Sequence, residues 1–193
     1  MNHSAELKNV VVTNSKVHLY KKKVLIDVLC EDIIVLFDES TNTQNEMVIP
    51  KHSKKWEKIE LILYKELLNF IYKYKTNLIM QDVQDDELKN IIIQNLNKDL
   101  YLKHFKIRKY MNNTTEILYV KPPPNDPNRY NILKFIYCLN GNNCEIMIEN
   151  DTILLECGNL LLFPNDILYK IKIPIAEKQY IIYGEVAYIE NTK

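Results

Sequence analysis

Glycine, arginine, histidine and serine are all scarce in this 193-residue chain, and each scarcity removes a class of chemistry. Three glycines, Gly141, Gly158 and Gly184, are too few and too scattered for a phosphate-cradling loop or a dinucleotide fingerprint, which need clustered glycines to bring backbone N–H groups to phosphate. Only Arg108 and Arg129, among 25 basic residues, offer the forked guanidinium that grips phosphate in two places. The 25 acidic residues cancel the basic ones, so no global field draws the chain to nucleic acid or an anionic membrane, and neither is expected as a partner. The serines, Ser4, Ser15, Ser40 and Ser53, lie early in the chain and in no nucleophile-elbow context, which argues against Ser-His-Asp hydrolysis. No apolar run approaches bilayer length, and the opening MNHSAELKNVVV lacks a basic segment followed by a long apolar one. A cytoplasmic location is expected, with the nucleus as the alternative. Cys30, Cys138, Cys144 and Cys157 form no CxxC pair and are expected as reduced thiols, three of them on strands.

What is present is apolar patterning that changes period along the chain. Residues 9–37 alternate in short pieces (VVV, KVHLY, KVLIDVL, DIIVLF), which predicts a β-rich segment over residues 1–50. The lysines Lys21, Lys22 and Lys23, and those in residues 51–55, read as solvated turns. Residues 38–50 (DESTNTQNEMVIP) are polar and read as a loop, of which residues 38–45 are expected to be exposed, dispensable for folding and a candidate for recognition. From Trp56 the period becomes helical: Trp56, Ile59, Ile62, Leu63, Leu67, Phe70, Ile71 and Tyr74 recur at three- and four-residue steps, with Ser53 as a cap. QDDELKNIIIQNLNK predicts a second helix, with Asp85 and Asp86 at its positive end and Leu88, Ile91, Ile92 and Leu96 facing inward. The helical region thus spans residues 54–98, and an apolar stripe of this kind is what a helix needs to pack on a sheet.

Residues 104–190 then carry short apolar runs broken by Asn, Asp, Gly and Pro at about ten-residue intervals, the spacing of an all-β barrel or sandwich. HFKIRKYM and TEILYVK read as its first strands. The segment Pro122, Pro123, Pro124, Asn125, Asp126, Pro127 cannot continue a ladder, since proline lacks the backbone donor, and is expected as an exposed loop and candidate partner contact. A single domain over residues 1–193 is expected.

Two resemblances follow from the barrel region. Gly158, Pro164, Asp166 and Tyr169 have the spacing of the second cupin motif, with aspartate at its second glycine and tyrosine at its metal histidine. More of the chain resembles the 2-oxoglutarate and iron(II)-dependent oxygenases, especially the prolyl-hydroxylase-like branch. FKIRKYM, RYNILKFIYCLN, GNLLLFPNDILYKI and PIAEKQYIIYGEV are similar, in order, to four of its barrel segments. That resemblance implies an α+β, mainly β, double-stranded β-helix (jelly roll) with two buttressing N-terminal helices. It places the distal metal histidine on Tyr169, the basic residue for 2-oxoglutarate on Lys178 and the proximal His-x-Asp within residues 119–124 (YVKPPP).

The chemistry implied by the resemblance requires two histidines and a carboxylate on one face of iron. The chain's histidines are His3, His18, His52 and His104; none is followed by x-Asp or x-Glu, and none lies beyond residue 104. Asp126 and a tyrosine would hold iron(II) poorly, because the phenol must first lose a proton with a pKa near ~10. The expectation is therefore a pseudoenzyme without catalytic residues, metal or cofactor, retaining a vestigial pocket lined by Tyr119, Arg129, Tyr137, Tyr169 and Lys178 and serving as a protein-binding module. The family resemblance extends to poxvirus host-modulating proteins with a prolyl-hydroxylase-like fold, and the lysine-, asparagine- and isoleucine-rich composition suits an AT-rich source, so a host protein is the implied partner. The alternative is a cupin-like small-molecule binder or metal-independent enzyme, with Tyr169 and Lys178 as acid and base in the barrel mouth.

Overall fold

The computed structural model describes residues 19–41, 44–80, 87–102, 104–111, 116–117, 129–141, 144–148, 151–165, 167–172 and 178–189. Along the chain they form β1 (Tyr20–Lys23), α1 (Asp27–Ser40), β2 (Glu46–Val48), α2 (Glu57–Met80), α3 (Glu87–Asn95), β3 (Leu100–Leu102), β4 (Lys106–Tyr110) and β5 (Glu116–Ile117). There follow β6 (Arg129–Cys138), β7 (Cys144–Ile148), β8 (Asp151–Leu155), β9 (Asn159–Pro164), β10 (Tyr169–Lys172) and β11 (Gln179–Ile189). The larger sheet has the order β1-β9-β6-β11-β4-β2, with β3 also paired to β11, and the smaller has β5-β10-β7-β8. All these pairings are antiparallel. Two such sheets face to face make the α+β, mainly β, double-stranded β-helix expected from the sequence.

The middle strands of the larger sheet are apolar at nearly every position because neither face meets water. On one face, Leu133, Phe135 and Tyr137 of β6, Leu160 and Leu162 of β9 and Tyr180 and Ile182 of β11 pack against the helices. On the other, Ile136 and Cys138, Leu161 and Phe163, and Ile181 meet Ile146, Ile148, Ile153 and Ile171 of the smaller sheet. Successive side chains of a strand point to opposite faces, so each strand divides its residues between two cores. The helix α2 presents Ile59, Leu63, Leu67, Phe70, Ile71, Tyr74 and Leu78 to the first core, with Trp56 just ahead of it, close to the face read from the sequence. Ser53 supports the start of this helix through its carbonyl, which accepts N–H bonds from Trp56 and Glu57.

Three expectations need correction. The segment over residues 1–50 is not simply β-rich: its VLCEDIIVLF stretch lies in helix α1, so that among the described residues three helices rather than two cover the sheet. Cys30, Ile33 and Phe37 satisfy a helical face as well as a broken strand would, and a large apolar sheet surface is there to receive it. Second, residues 38–50 are not wholly a loop: α1 runs to Ser40, and Glu46–Val48 form β2, paired with β4. Asp38 closes α1 and accepts hydrogen bonds from Tyr180 Oη (2.8 Å) and Lys109 Nζ (2.9 Å). Burial works against its ionisation, but these two bonds outweigh burial and hold its carboxyl below the usual range. Third, Lys21, Lys22 and Lys23 belong to β1, an edge strand paired with β9 rather than a turn. Lysines on an edge discourage another chain from adding to it. Ile92 of α3 and Leu96 just after it are buried as expected, but Ile91 is 46% exposed; Asp85, Asp86 and the side chain of Leu88 lie outside the described residues.

Gly158 joins the layers. Its N–H donates to Cys138 O, its carbonyl accepts from Val24 and Leu25, and its φ is +79°. A Cβ there would fall 2.1 Å from Leu25 O. The glycine of the cupin-like spacing is thus required by the turn and by the passage from β1 to α1. Gly158→Ala combines left-handed strain with a backbone clash and is expected to cost about 3 kcal/mol. Urea denaturation of the two proteins measures it; a loss below about 1 kcal/mol would show that the turn relaxes freely.

Candidate functional site

Tyr169 opens β10, where the resemblance places the distal metal ligand, and it is buried inside the barrel. Its ring meets Phe163 edge-on at 5.0 Å between centroids, and Lys134 Nζ lies 5.6 Å from its ring centroid. Lys134 is itself only 4% exposed, and its ammonium donates to Ile167 O at 3.4 Å. A cation on the tyrosine face and an aromatic at its edge are favourable packing arrangements, but they bring no second metal donor.

Lys178 does not enter the barrel. It is exposed, its charge reaches Asp38 on the helix side of the sheet, and its carbonyl accepts from Asn140 Nδ2 at 2.7 Å. The next residue takes the inward place: Gln179 is 1% exposed, and its Nε2 donates to Asn140 O at 2.6 Å and lies 3.4 Å from Cys138 Sγ. Its Oε1 is buried with no hydrogen-bond partner among the described residues. Strand alternation explains the correction, since a one-residue offset exchanges the two faces. It also separates Lys178 from Tyr169, so the two cannot act as acid and base in one pocket.

Tyr137 lies outside the barrel too. It faces the helices, its hydroxyl donates to Leu63 O at 2.9 Å, and burial pushes its phenol well above the ordinary range. It is a strut between β6 and α2 rather than a pocket residue. Arg129 begins β6; its side chain, Tyr119 and the segment Pro122, Pro123, Pro124, Asn125, Asp126, Pro127 lie outside the described residues, as do His3 and His18. His104 lines a cavity of about 310 Å³ between α2 and the residues preceding β4, on the helix side.

The cysteines fall into two contacting pairs that sequence spacing did not reveal. Cys30 of α1 meets Cys157, and Cys138 of β6 meets Cys144 of β7; all four are free thiols. Burial pushes the Cys30 thiol up, and contact with Cys144 followed by burial does the same to Cys138. Thiols held protonated in this way are poor nucleophiles and poor metal ligands.

A polar cluster built on Glu46 was also hidden from sequence. Glu46 of β2 sits opposite Arg108 of β4 and is ion-paired and hydrogen-bonded to its guanidinium. Tyr183 Oη of β11 donates to the same carboxylate at 2.6 Å, and Lys106 Nζ lies 3.9 Å from its other oxygen. The Arg108 guanidinium lies 5.6 Å from the Tyr183 ring and 5.8 Å from that of Tyr110. Burial alone would raise the Glu46 pKa, but the Tyr183 bond and the Arg108 charge outweigh it and hold the carboxyl below the usual range. Burial, then Glu46, drives the Tyr183 phenol upward. The only available signal was Arg108 itself, one of two arginines, in the alternating Lys106, Arg108, Tyr110; its partner is 62 positions away. Because the carboxylate already engages the guanidinium, the cluster is a clasp between β2, β4 and β11.

With this geometry in view, the comparisons are consistent. No protein-family model matches the chain, and no curated protein matches its sequence. Solved structures do match in fold. The viral collagen prolyl hydroxylase of Paramecium bursaria Chlorella virus-1, in its 2-oxoglutarate complex, aligns with TM-score 0.63 and 11% identity over 93% of this chain and 99% of its own. A prolyl-4-hydroxylase of Pseudomonas putida aligns at TM-score 0.53 and 8% identity, covering 88% and 92% of the two chains. Prolyl 4-hydroxylases from Phytophthora capsici give TM-score 0.53 and 14% identity over 89% of this chain and 58% of theirs. The fold is prolyl-hydroxylase-like.

The described residues do not fit the iron and 2-oxoglutarate that the resemblance implies. Among the described residues no three His, Cys, Asp or Glu side chains converge to ligate a metal. Tyr169 stands at the expected histidine, and no histidine follows residue 104. Between Tyr169 and Gln179 the interior is packed with Ile136, Ile146, Leu161, Phe163, Ile171 and Ile181, where a dicarboxylate would displace buried side chains, and the buried cation nearby, Lys134, is engaged by Ile167 O and the Tyr169 ring.

The Glu46 clasp gives a pH test. Because the folded carboxyl is more acidic than the unfolded one (ordinary value 4.5), its stabilisation is complete above that pH and disappears as pH falls through the lower folded value. Glu46→Gln is expected to cost about 1 kcal/mol at neutral pH, allowing for solvent screening of a partly exposed carboxylate, with the gap narrowing as pH falls below the ordinary 4.5. Urea denaturation across pH measures this; a gap unchanged at low pH would mean that the charge on Glu46 is not what holds the clasp.

Proposed function

We propose that this protein is a pseudoenzyme on a prolyl-hydroxylase-like scaffold and that it works by binding another protein. The observation that carries this reading is the fate of the two positions on which iron and 2-oxoglutarate depend. Tyr169 is packed between Phe163 and Lys134, and the inward place beside Lys178 belongs to the neutral Gln179. A barrel held by apolar strand faces keeps its shape when the metal ligands are lost, so the scaffold remains available for recognition.

The outer surface supports the second half of the proposal. The solvent side of α2 carries Leu61, Tyr64, Leu68, Tyr72 and Ile79, all exposed. At about 100° per residue these positions form one stripe opposite the buried face, and a contiguous apolar stripe on a surface helix is a feature of protein contact sites. A host protein as partner, acting in the host cytoplasm, is the form of this function that the viral resemblance favours.

The test is calorimetric titration of purified protein with iron(II) under anaerobic conditions, and with manganese(II), each with and without 2-oxoglutarate. No saturable binding and no enhancement by 2-oxoglutarate are expected. Stoichiometric, 2-oxoglutarate-dependent metal binding would overturn the proposal and make the protein an oxygenase with an unusual ligand set.

A further inference from the structure

Cys157 is the one cysteine that solvent reaches. Cys30, Cys138 and Cys144 are fully buried, whereas Cys157 is half-buried in the turn between β8 and β9. Helix α1 starts from that same turn. The Gly158 carbonyl accepts from Val24 and Leu25, which lead into the helix, and Cys30 follows in its first turn with its N–H on Ile26 O at 3.2 Å. Cys157 packs against the core that contains Cys30, and the two thiols are in contact. Cys157 Sγ also donates to Leu139 O at 3.1 Å, which holds its side chain against the end of β6. The surface beside it carries the exposed pair Lys23 and Asp27, joined at 2.7 Å.

From this placement we infer that Cys30 and Cys157 are a disulfide-forming pair, which a low-molecular-weight disulfide such as oxidised glutathione converts into a stabilising covalent tie between α1 and the turn after β8. Cys157, as thiolate, attacks one sulfur of the added disulfide and expels a glutathione thiolate, leaving a mixed disulfide at the surface. Cys30, as thiolate, then attacks the Cys157 sulfur from within and expels the second glutathione. Two protein thiols are oxidised, one disulfide is reduced to two glutathione thiols, and the protons released by the protein pass to them. Burial works against both protein thiolates, so the exchange is slow at neutral pH. Its equilibrium depends on how often the two sulfurs meet, and packing keeps them together. In a reducing compartment the pair stays as thiols, and the tie forms when that poise is lost. Cys138 and Cys144 also touch, and Cys138 Sγ lies 3.7 Å from O of Leu155, the residue opposite Cys144 in the ladder between β7 and β8. Enclosed between the two sheets, that second pair is shut off from an external disulfide while the fold is intact.

The experiment incubates the native full-length protein with oxidised glutathione, alkylates the remaining thiols under denaturing conditions and maps the digest by mass spectrometry. A peptide pair cross-linked through Cys30 and Cys157 is expected, with Cys138 and Cys144 still alkylated. The oxidised protein is expected to melt at least about 4 °C higher, because a link enclosing most of the chain restricts the unfolded state, and dithiothreitol is expected to reverse the shift. Cys157→Ser is expected to take up no glutathione, and Cys30→Ala to stop at the mixed disulfide on Cys157. Mapping the unsubstituted chain decides the pairing without relying on how either variant folds. The inference is overturned by a native chain that carries glutathione on Cys157 without the cross-link, by a cross-link from Cys157 to Cys138 or between two chains, or by a cross-link that leaves the melting temperature unchanged. Thiols that stay intact at a reagent concentration that oxidises the urea-unfolded chain overturn it as well. None of these results bears on the metal titration, so the pseudoenzyme reading stands or falls separately.

Discussion

The larger sheet is buried on both faces, and the rest of the structure follows from this constraint. β6, β9 and β11 have little solvent-facing side, so their residues alternate between a core shared with the helices and a core shared with the smaller sheet. Helices must cover one face and the smaller sheet must close the other, since either face left open would expose a broad apolar surface. Tyr137 and Ile136, neighbours in sequence, thus serve opposite sides of the molecule.

The same constraint shapes the barrel interior. In a metal enzyme on this scaffold, some inward positions are withheld from packing and given to ligands. Here Phe163, Tyr169 and Ile181 fill that space, and the inward polar residues are turned to local partners: Lys134 to Ile167 O and the Tyr169 ring, Gln179 to Asn140. The Glu46 clasp ties β2 to β4 and β11 near the edge of the larger sheet, and Asp38 ties α1 to the same two strands through Lys109 and Tyr180. Charge in these places fastens layers together.

Much of the fold was legible locally. The three- and four-residue recurrence in α2 identified its buried face, and the broken apolar runs after residue 104 identified barrel strands, because each signal is carried within a few residues. Helix α1 was misread because DIIVLF is rich in β-branched residues and short enough to fit either period; what decides is the sheet surface on which Cys30, Ile33 and Phe37 lie. The site was less legible. The resemblance puts the basic residue at Lys178, whereas orientation depends on parity along β11, and a shift of one residue gives the inward position to Gln179. The pairs Glu46 with Arg108 and Cys30 with Cys157 join distant segments and leave no local pattern.

Composition and short-range periodicity by themselves determined that this chain has an inventory unsuited to phosphate loops, and that a helical segment precedes a β barrel. These follow from which atoms exist and how side chains repeat along a local backbone. Tertiary structure alone decided which face each barrel residue serves, where the buried charges find partners, and that α2 keeps an apolar stripe on its outer side after its inner face is satisfied. Those outcomes depend on packing between segments far apart in the chain, and burial is a property of the assembled layers rather than of any one of them.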